Sequence, residues 1–286
     1  MKNLDKLIES EQLIIDTSLI LGETCKEMCK QLYDCTESIY LSPEELGDIL
    51  QSIGKLQGFF TGREIYVTPN TLAELHETLN ILNYQQEFHA KRKAGKIKLV
   101  RGKRFFSRLD EDDKTYDNIN QELLSEITNR FYCLQKGLEK RNIAQIVSAS
   151  NTQKAGQMIN FLKTLKNDDG MPVKQDYSQR YDSHFFKSKQ SLNLDTDEEI
   201  VAYAIMLASK SPVTIITRDS DIRRMLRVGL RNPKFYERFW QDFPRQRIRV
   251  IAGYQDEDYK IVYDSDNPSL CRQAAENPRA PVSQAS

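Results

Sequence analysis

This sequence predicts an α/β fold, a three-layer α/β/α arrangement around a mainly parallel sheet, and three observations carry the prediction. Leu13, Ile14 and Ile15 form an apolar run that ends abruptly in Asp16, Thr17 and Ser18. A strand covered on both faces does not alternate, so such a run reads as a buried parallel strand. VTIIT (213–217) has the same character and ends in Arg218, Asp219, Ser220 and Asp221. Around these runs, apolar residues recur at helical spacing, the alternation expected of an α/β chain. Open α/β sheets bind ligands at the carboxyl ends of their strands, so both runs deliver carboxylates to the edge where a site belongs.

In chain order, residues 23–35 are expected to be helical. LSPEELGDILQSI (41–53) opens with Ser42 as cap, Pro43 at the first helical position and Glu45 closing a capping box. EIYVTPN (64–70) is the second strand, stopped by Pro69. Residues 71–93 carry Leu72, Leu75, Leu79 and Leu82 on one face of an amphipathic helix. KIKLV (96–100) reads as a third strand. Strand signals then thin out between Arg101 and Asn193. There, Ile119, Leu123, Ile127, Phe131, Leu134 and Leu138 keep helical spacing, and a second helix runs from Thr152, as cap, to Leu165. This stretch is expected to be an inserted hairpin of long helices, followed by a loop around 167–177. The α/β pattern resumes with a helix at 196–209, the strand at 213–217 and a helix from Ser220 to Leu230. A short helix at 233–241, a strand at 247–253 and an edge strand at 259–264 follow. The chain thus divides into a first α/β segment (1–100), a helical insertion (101–192), a second α/β segment (193–264) and a tail (265–286) whose composition predicts disorder.

The chain has 286 residues, enough for a substantial core, and 41 basic residues balance 41 acidic ones. Nucleic-acid binding would therefore have to come from local patches. No apolar run approaches a bilayer span, so no membrane is expected as a partner. MKNLDKLIES lacks a signal-peptide core, and five cysteines is an odd number; both lead us to expect reduced thiols and a cytoplasmic protein. Cys25 and Cys29 lie one helical turn apart, but the set lacks a fourth ligand for zinc, and buried thiols are the better reading.

The acids differ in what they offer. Asp16 directly follows Ile15, where an Asp also serves a strand-end turn. Asp197 shares a helical face with Val201, Ala204 and Ala208, which puts it inward and Glu198 and Glu199 elsewhere, with Asp195 as the natural cap. A buried carboxylate not needed as a cap wants a cation, metal or arginine. Asp219 sits where a helix cap belongs, with Asp221 two residues on. Glu74 flanks the leucine stripe just past the second strand, where the helix dipole favours an acid in any case.

Four pieces, LIIDTS (13–18), VTPNTLAEL (67–75), DEEIVAYA (197–204) and ITRDSD (216–221), in this order resemble the PIN-domain family of metal-dependent nucleases. The resemblance covers residues 12–100 and 193–253. It implies Asp16, Glu74, Asp197 and Asp219 as a catalytic acidic quartet, with Asp16, Asp197 and Asp219 as metal ligands and Glu74 holding a metal-bound water or a second ion. It also implies Asp221 as an auxiliary ligand, and Thr17, Ser18 and Thr217 as support. The activity implied is hydrolysis of RNA phosphodiesters, and RNA over DNA rests on the resemblance alone. Oxygen-only ligands select hard ions, Mg²⁺ or Mn²⁺. His76 reads as a packing or surface residue rather than a base. Compact family members lack the insertion at 101–192, so their substrates and partners do not carry over.

Phosphate contacts supply most non-specific affinity for nucleic acid. The first candidate patch is Lys91, Arg92, Lys93, Lys96, Lys98, Arg101, Lys103, Arg104 and Arg108, with Phe105 and Phe106 for base stacking. Arg223, Arg224, Arg227 and Arg231 share the helix after Asp219, and a loop with Tyr177, Arg180, Tyr181, Phe185, Phe186 and Lys187 is a third candidate. The plain alternative is a solvated charged face. Two rival functions stay open. One is a non-catalytic PIN-like scaffold that binds RNA or protein, its acids serving as caps. The other is a Rossmann-like phosphatase using Asp16, which lacks the usual second Asp because Ser18 stands in its place. No glycine-rich phosphate loop and no GxGxxG fingerprint is present. The sequence is compatible with a homo-oligomer.

Overall fold

The computed structural model describes residues 3–8, 12–24, 42–93, 121–166, 170–173, 195–240, 246–253 and 258–267. Its five strands are β1 (Gln12–Ile15), β2 (Ile65–Tyr66), β3 (Val213–Thr217), β4 (Ile248–Ala252) and β5 (Lys260–Asp264), in the spatial order β2-β1-β3-β4-β5. β1 pairs in parallel with β2 and β3, and β3 with β4; edge strand β5 runs antiparallel to β4. The two apolar runs are therefore neighbours. Ile15 pairs with Ile216, so Asp16, just past the end of β1, lies beside Thr217, the last residue of β3, at the carboxyl edge of the sheet.

Alternation along each strand sorts its residues between two layers. Leu13 and Ile15 join Ile216 and Ile251 in one core, while Ile14 joins Val213, Ile215, Ile248 and Val250 in the other. The first core is closed by α1 (Leu4–Leu7), α2 (Thr17–Thr24), α3 (Pro43–Phe60), α4 (Pro69–Lys93) and α5 (Gln121–Glu139). The second is closed by α6 (Ala149–Lys163), α7 (Thr196–Leu207) and α8 (Asp221–Arg231), with Phe235 and Phe239 from the turns that follow. An α/β protein with helices against both sides of a mostly parallel sheet results, consistent with the three-layer expectation.

Local chemistry sets the helix starts. Ser42 accepts from the Glu45 amide at 3.1 Å and Glu45 Oε2 from the Ser42 amide at 2.7 Å, the capping box expected of α3. Pro69 opens α4 rather than only stopping β2. Its fixed φ suits a first helical residue, and the preceding Thr68 accepts from the Thr71 amide at 3.2 Å. The cap of α6 is Ser148, four residues before the expected Thr152, because its hydroxyl accepts from the Asn151 amide. α2 begins at Thr17, well ahead of the expected 23, and residues 25–41 lie outside the described residues.

The expected hairpin of long helices is corrected. α5 buries Leu124, Ile127, Phe131, Leu134 and Leu138 in the first core, against α3 and α4, whereas α6 buries Ala155, Met158 and Leu162 in the second, against α7. The two helices therefore lie on opposite sides of the sheet. The link between them docks on the sheet's edge. Val67 N–H donates to Arg141 O at 3.1 Å, and Ile143 N–H donates to Val67 O at 3.0 Å. The expected strand at 96–100, the loop at 177–187 and the tail beyond 267 lie outside the described residues. Among the described residues, no helix is long and apolar enough to cross a membrane.

Candidate active site at the carboxyl edge of the sheet

Asp16 is the best-defined acid. Pairing of β1 with β3 sets Thr217 beside it, and Thr217 Oγ1 donates to Asp16 Oδ2 at 2.6 Å. Ser18, in the first turn of α2, donates its hydroxyl to the same oxygen. Two backbone amides aim those hydroxyls: Asp219 N–H donates to Thr217 Oγ1 and Arg218 N–H to Ser18 Oγ, both at 2.8 Å. Each hydroxyl has a single proton, and the amides occupy the oxygens from behind, so both protons point at Asp16. Burial pushes the Asp16 carboxyl up to about 6; the two hydroxyls act in the opposite direction, and the negative charges of Glu74 and Asp219 add to the rise.

Glu74 reaches the same edge from the second turn of α4. It is buried, and its Oε1 accepts the Thr196 hydroxyl at 2.9 Å. Glu199, also buried, crosses from α7 to the start of α4, where Oε2 accepts the Asn70 amide at 2.8 Å. A carboxylate there satisfies an amide with no intrahelical partner and meets the positive end of the helix. Burial raises the Glu199 pKa, hydrogen bonds from Thr68 and Asn70 oppose the rise, and the charges of Asp195 and Glu74 add to it.

The loop after β3 supplies the third acid. Asp219 Oδ1 accepts the Asp221 amide at 2.8 Å, a local turn that starts α8. Asp221 is buried, and its Oδ1 meets Arg224 Nη1 at 2.9 Å. The Arg218 side chain lies on α2, where its Cδ would sit 2.5 Å from a Cβ at Gly22, so any larger residue there would displace the arginine. Its guanidinium is 3.4 Å from Glu23 Oε1, which also accepts the Tyr259 hydroxyl at 2.5 Å.

Glu74 and Asp219 are therefore each within electrostatic reach of Asp16, with Ser18 and Thr217 holding it. Asp197 stands apart from the expectation. It is only half-buried in the first turn of α7, while Glu198 and Glu199, expected to point elsewhere, are buried. The reason lies in α7 itself, where every residue from Ile200 to Ala208 is buried. A helix apolar all round has no single inward face for a stripe to identify. Asp195 makes no side-chain cap and instead pairs with Lys163 Nζ at 2.6 Å. Thr17 is buried, and its hydroxyl has no hydrogen-bond partner among the described residues. Among the described residues, no three acids close on one point as a finished cation cage. Glu199 and Thr196 are the site residues that sequence reasoning missed; the TPN motif, with a proline-led helix start awaiting an anion, was the available signal.

No family model, no curated protein and no solved structure matches this chain. Of the basic residues, Arg223, Arg224 and Arg227 are half-buried on α8, and Lys91, Arg92 and Lys93 form the last turn of α4. Lys96, Lys98, Arg101, Lys103, Arg104 and Arg108 lie outside the described residues, as do Phe105 and Phe106.

Proposed function

We propose that this protein is a metal-dependent nuclease of the PIN type that hydrolyses RNA phosphodiesters. One arrangement supports the reading: Asp16, buried at the carboxyl edge of a parallel sheet and held there by Ser18 and Thr217, feels the negative charges of the buried Glu74 and of Asp219. Carboxylates that repel one another in a buried place are relieved by a cation. The donor set is all oxygen, which fits Mg²⁺ or Mn²⁺. Asp16, Asp219 and Asp197 would hold the ion, with Glu74 beside them. A divalent ion bound there activates water and offsets charge on the phosphoryl group.

The chain's own residues do the rest. Ser18 and Thr217 donate to one oxygen of Asp16, which orients its carboxyl group and favours the ionised form. Asp219 is fixed by the Asp221 amide, and Glu74 by Thr196. Arg223 and Arg227 on α8, and Lys91 to Lys93 on α4, would contact the phosphates of the bound strand. The acid layer and the RNA substrate both belong to this reading.

A second reading has its own support. Several acids already serve the fold: Glu199 takes an amide of α4, Asp219 an amide of α8, and Asp221 an arginine. That is how a non-catalytic RNA- or protein-binding scaffold would use them. Cleavage of labelled RNA by the purified chain under Mn²⁺ titration separates the two. Metal-dependent cleavage that Asp16→Asn abolishes supports the nuclease; cleavage undiminished in that folded variant rejects it.

A further inference from the structure

Helices from opposite layers meet over the carboxyl edge of the sheet, and two contacts join them. Thr196, the first residue of α7, donates its hydroxyl to Glu74 Oε1 at 2.9 Å. Glu199, one turn further along α7, takes the Asn70 amide one turn before Glu74 on α4. Thr196, Glu74 and Glu199 are 5%, 8% and 7% exposed, so water competes little for either contact. A glutamate has three torsions to order, so its carboxyl group is held only where partners restrict it. A hydroxyl on Oε1 anchors one oxygen of the carboxyl group and so restricts the directions in which Oε2 can point.

We infer that Thr196 is a positioning residue that orients the Glu74 carboxyl group for a divalent ion; this rests on the metal-site reading above. Thr196 itself is not a ligand and acts only through Glu74. Glu199 fixes the start of α4 against the same turn of α7, so the donor and its acceptor keep their relative height. The first turn of α7 thereby has two duties: it carries Asp197 and it aims Glu74. Outer-shell hydrogen bonds of this kind commonly change metal affinity about 10- to 100-fold.

Mn²⁺ binding to the full chain, followed by the electron paramagnetic resonance of the free ion, tests it on wild type, Thr196→Val and Thr196→Ser. Valine keeps the shape and branching and removes only the hydroxyl; serine keeps the hydroxyl. The expected result is a Kd weakened about 10-fold or more in T196V and close to wild type in T196S. Equal affinity in wild type and T196V overturns the positioning role and leaves the metal reading standing. Equal weakening in both variants also overturns it, because packing would then be the cause. A wild-type chain that binds no Mn²⁺ overturns both readings together. Should T196V fail to fold, T196A against T196S makes the same comparison.

Discussion

Thr217 donates its only hydroxyl proton to Asp16 Oδ2 at 2.6 Å, where Asp16 is only 3% exposed. That bond lowers the Asp16 pKa but does not offset burial and the neighbouring charges, and the carboxyl still rises from 3.8 to about 6. The remainder is a measurable tension.

The first prediction concerns pH. Asp16 binds its proton more tightly folded than unfolded, so between its two pKa values the native state holds more protons. Its contribution to stability is fully present below about pH 4 and is lost as pH rises through about 6, a swing of up to about 3 kcal/mol. Glu199, also raised, adds a slope of the same sign, and Asp264, lowered beside Arg247, adds the opposite one. The test is therefore a difference. Urea midpoints in a chelator, at about pH 4 and about pH 7, should fall more steeply for wild type than for Asp16→Asn. Parallel curves would refute the burial of a strained charge at Asp16.

Mn²⁺ should offset that tension. At a hundredfold excess over Kd, the ion should stabilise the wild-type chain by about 2.7 kcal/mol. Asp219→Asn keeps the acceptor for the Asp221 amide and removes only the charge, so it should fold and yet lose most of this gain. A Tm that rises equally in wild type and D219N would remove Asp219 from the ligand set.

At the start of α4, Glu199 serves as an acceptor supplied by another helix. Glu199→Ala strands the Asn70 amide and should cost about 1 kcal/mol. Glu199→Gln keeps an oxygen for that amide and relieves the repulsion with Glu74 and Asp195, so it should be at least as stable as wild type near neutral pH. Equal losses in chemical denaturation would mean that the charge matters more than the hydrogen bond.

The arginines of α8 should divide by role. Arg224→Gln removes a charged partner of the buried Asp221 carboxylate and should cost stability by about 1–3 kcal/mol. Arg223→Gln and Arg227→Gln should instead weaken RNA binding, each reducing the salt slope of log K by about one. Fluorescence anisotropy across a salt series, set beside denaturation curves, reads both effects. A reversed pattern would move the interface elsewhere.

Much of the fold was legible because local chemistry and tertiary context agree. Unbroken apolar runs gave β1 and β3, and the capping box at Ser42 and Glu45 marked the start of α3. What stayed hidden depended on partners distant in sequence. α7 is buried all round, so its periodicity could not rank Asp197 against Glu199, and only the α4 amide decides between them. The stripes of α5 and α6 announced helices but not which layer each would cover; the link between them docks at the sheet's edge through the bridge of Val67 with Asn142. Asp16 was visible from the strand that precedes it, while the amides of Arg218 and Asp219 that orient its two hydroxyls needed the register of β1 with β3.

That register has a consequence for synthesis. The bond from Thr217 to Asp16 closes a loop of 201 residues, and β3 lies between β1 and β4 in the sheet. Contacts so distant in sequence form late, after their loop entropy has been overcome. A nascent chain in which Thr217 has not yet emerged cannot assemble this edge at all. Any chain truncated before that point would be inert at the site, whatever its earlier helices had achieved.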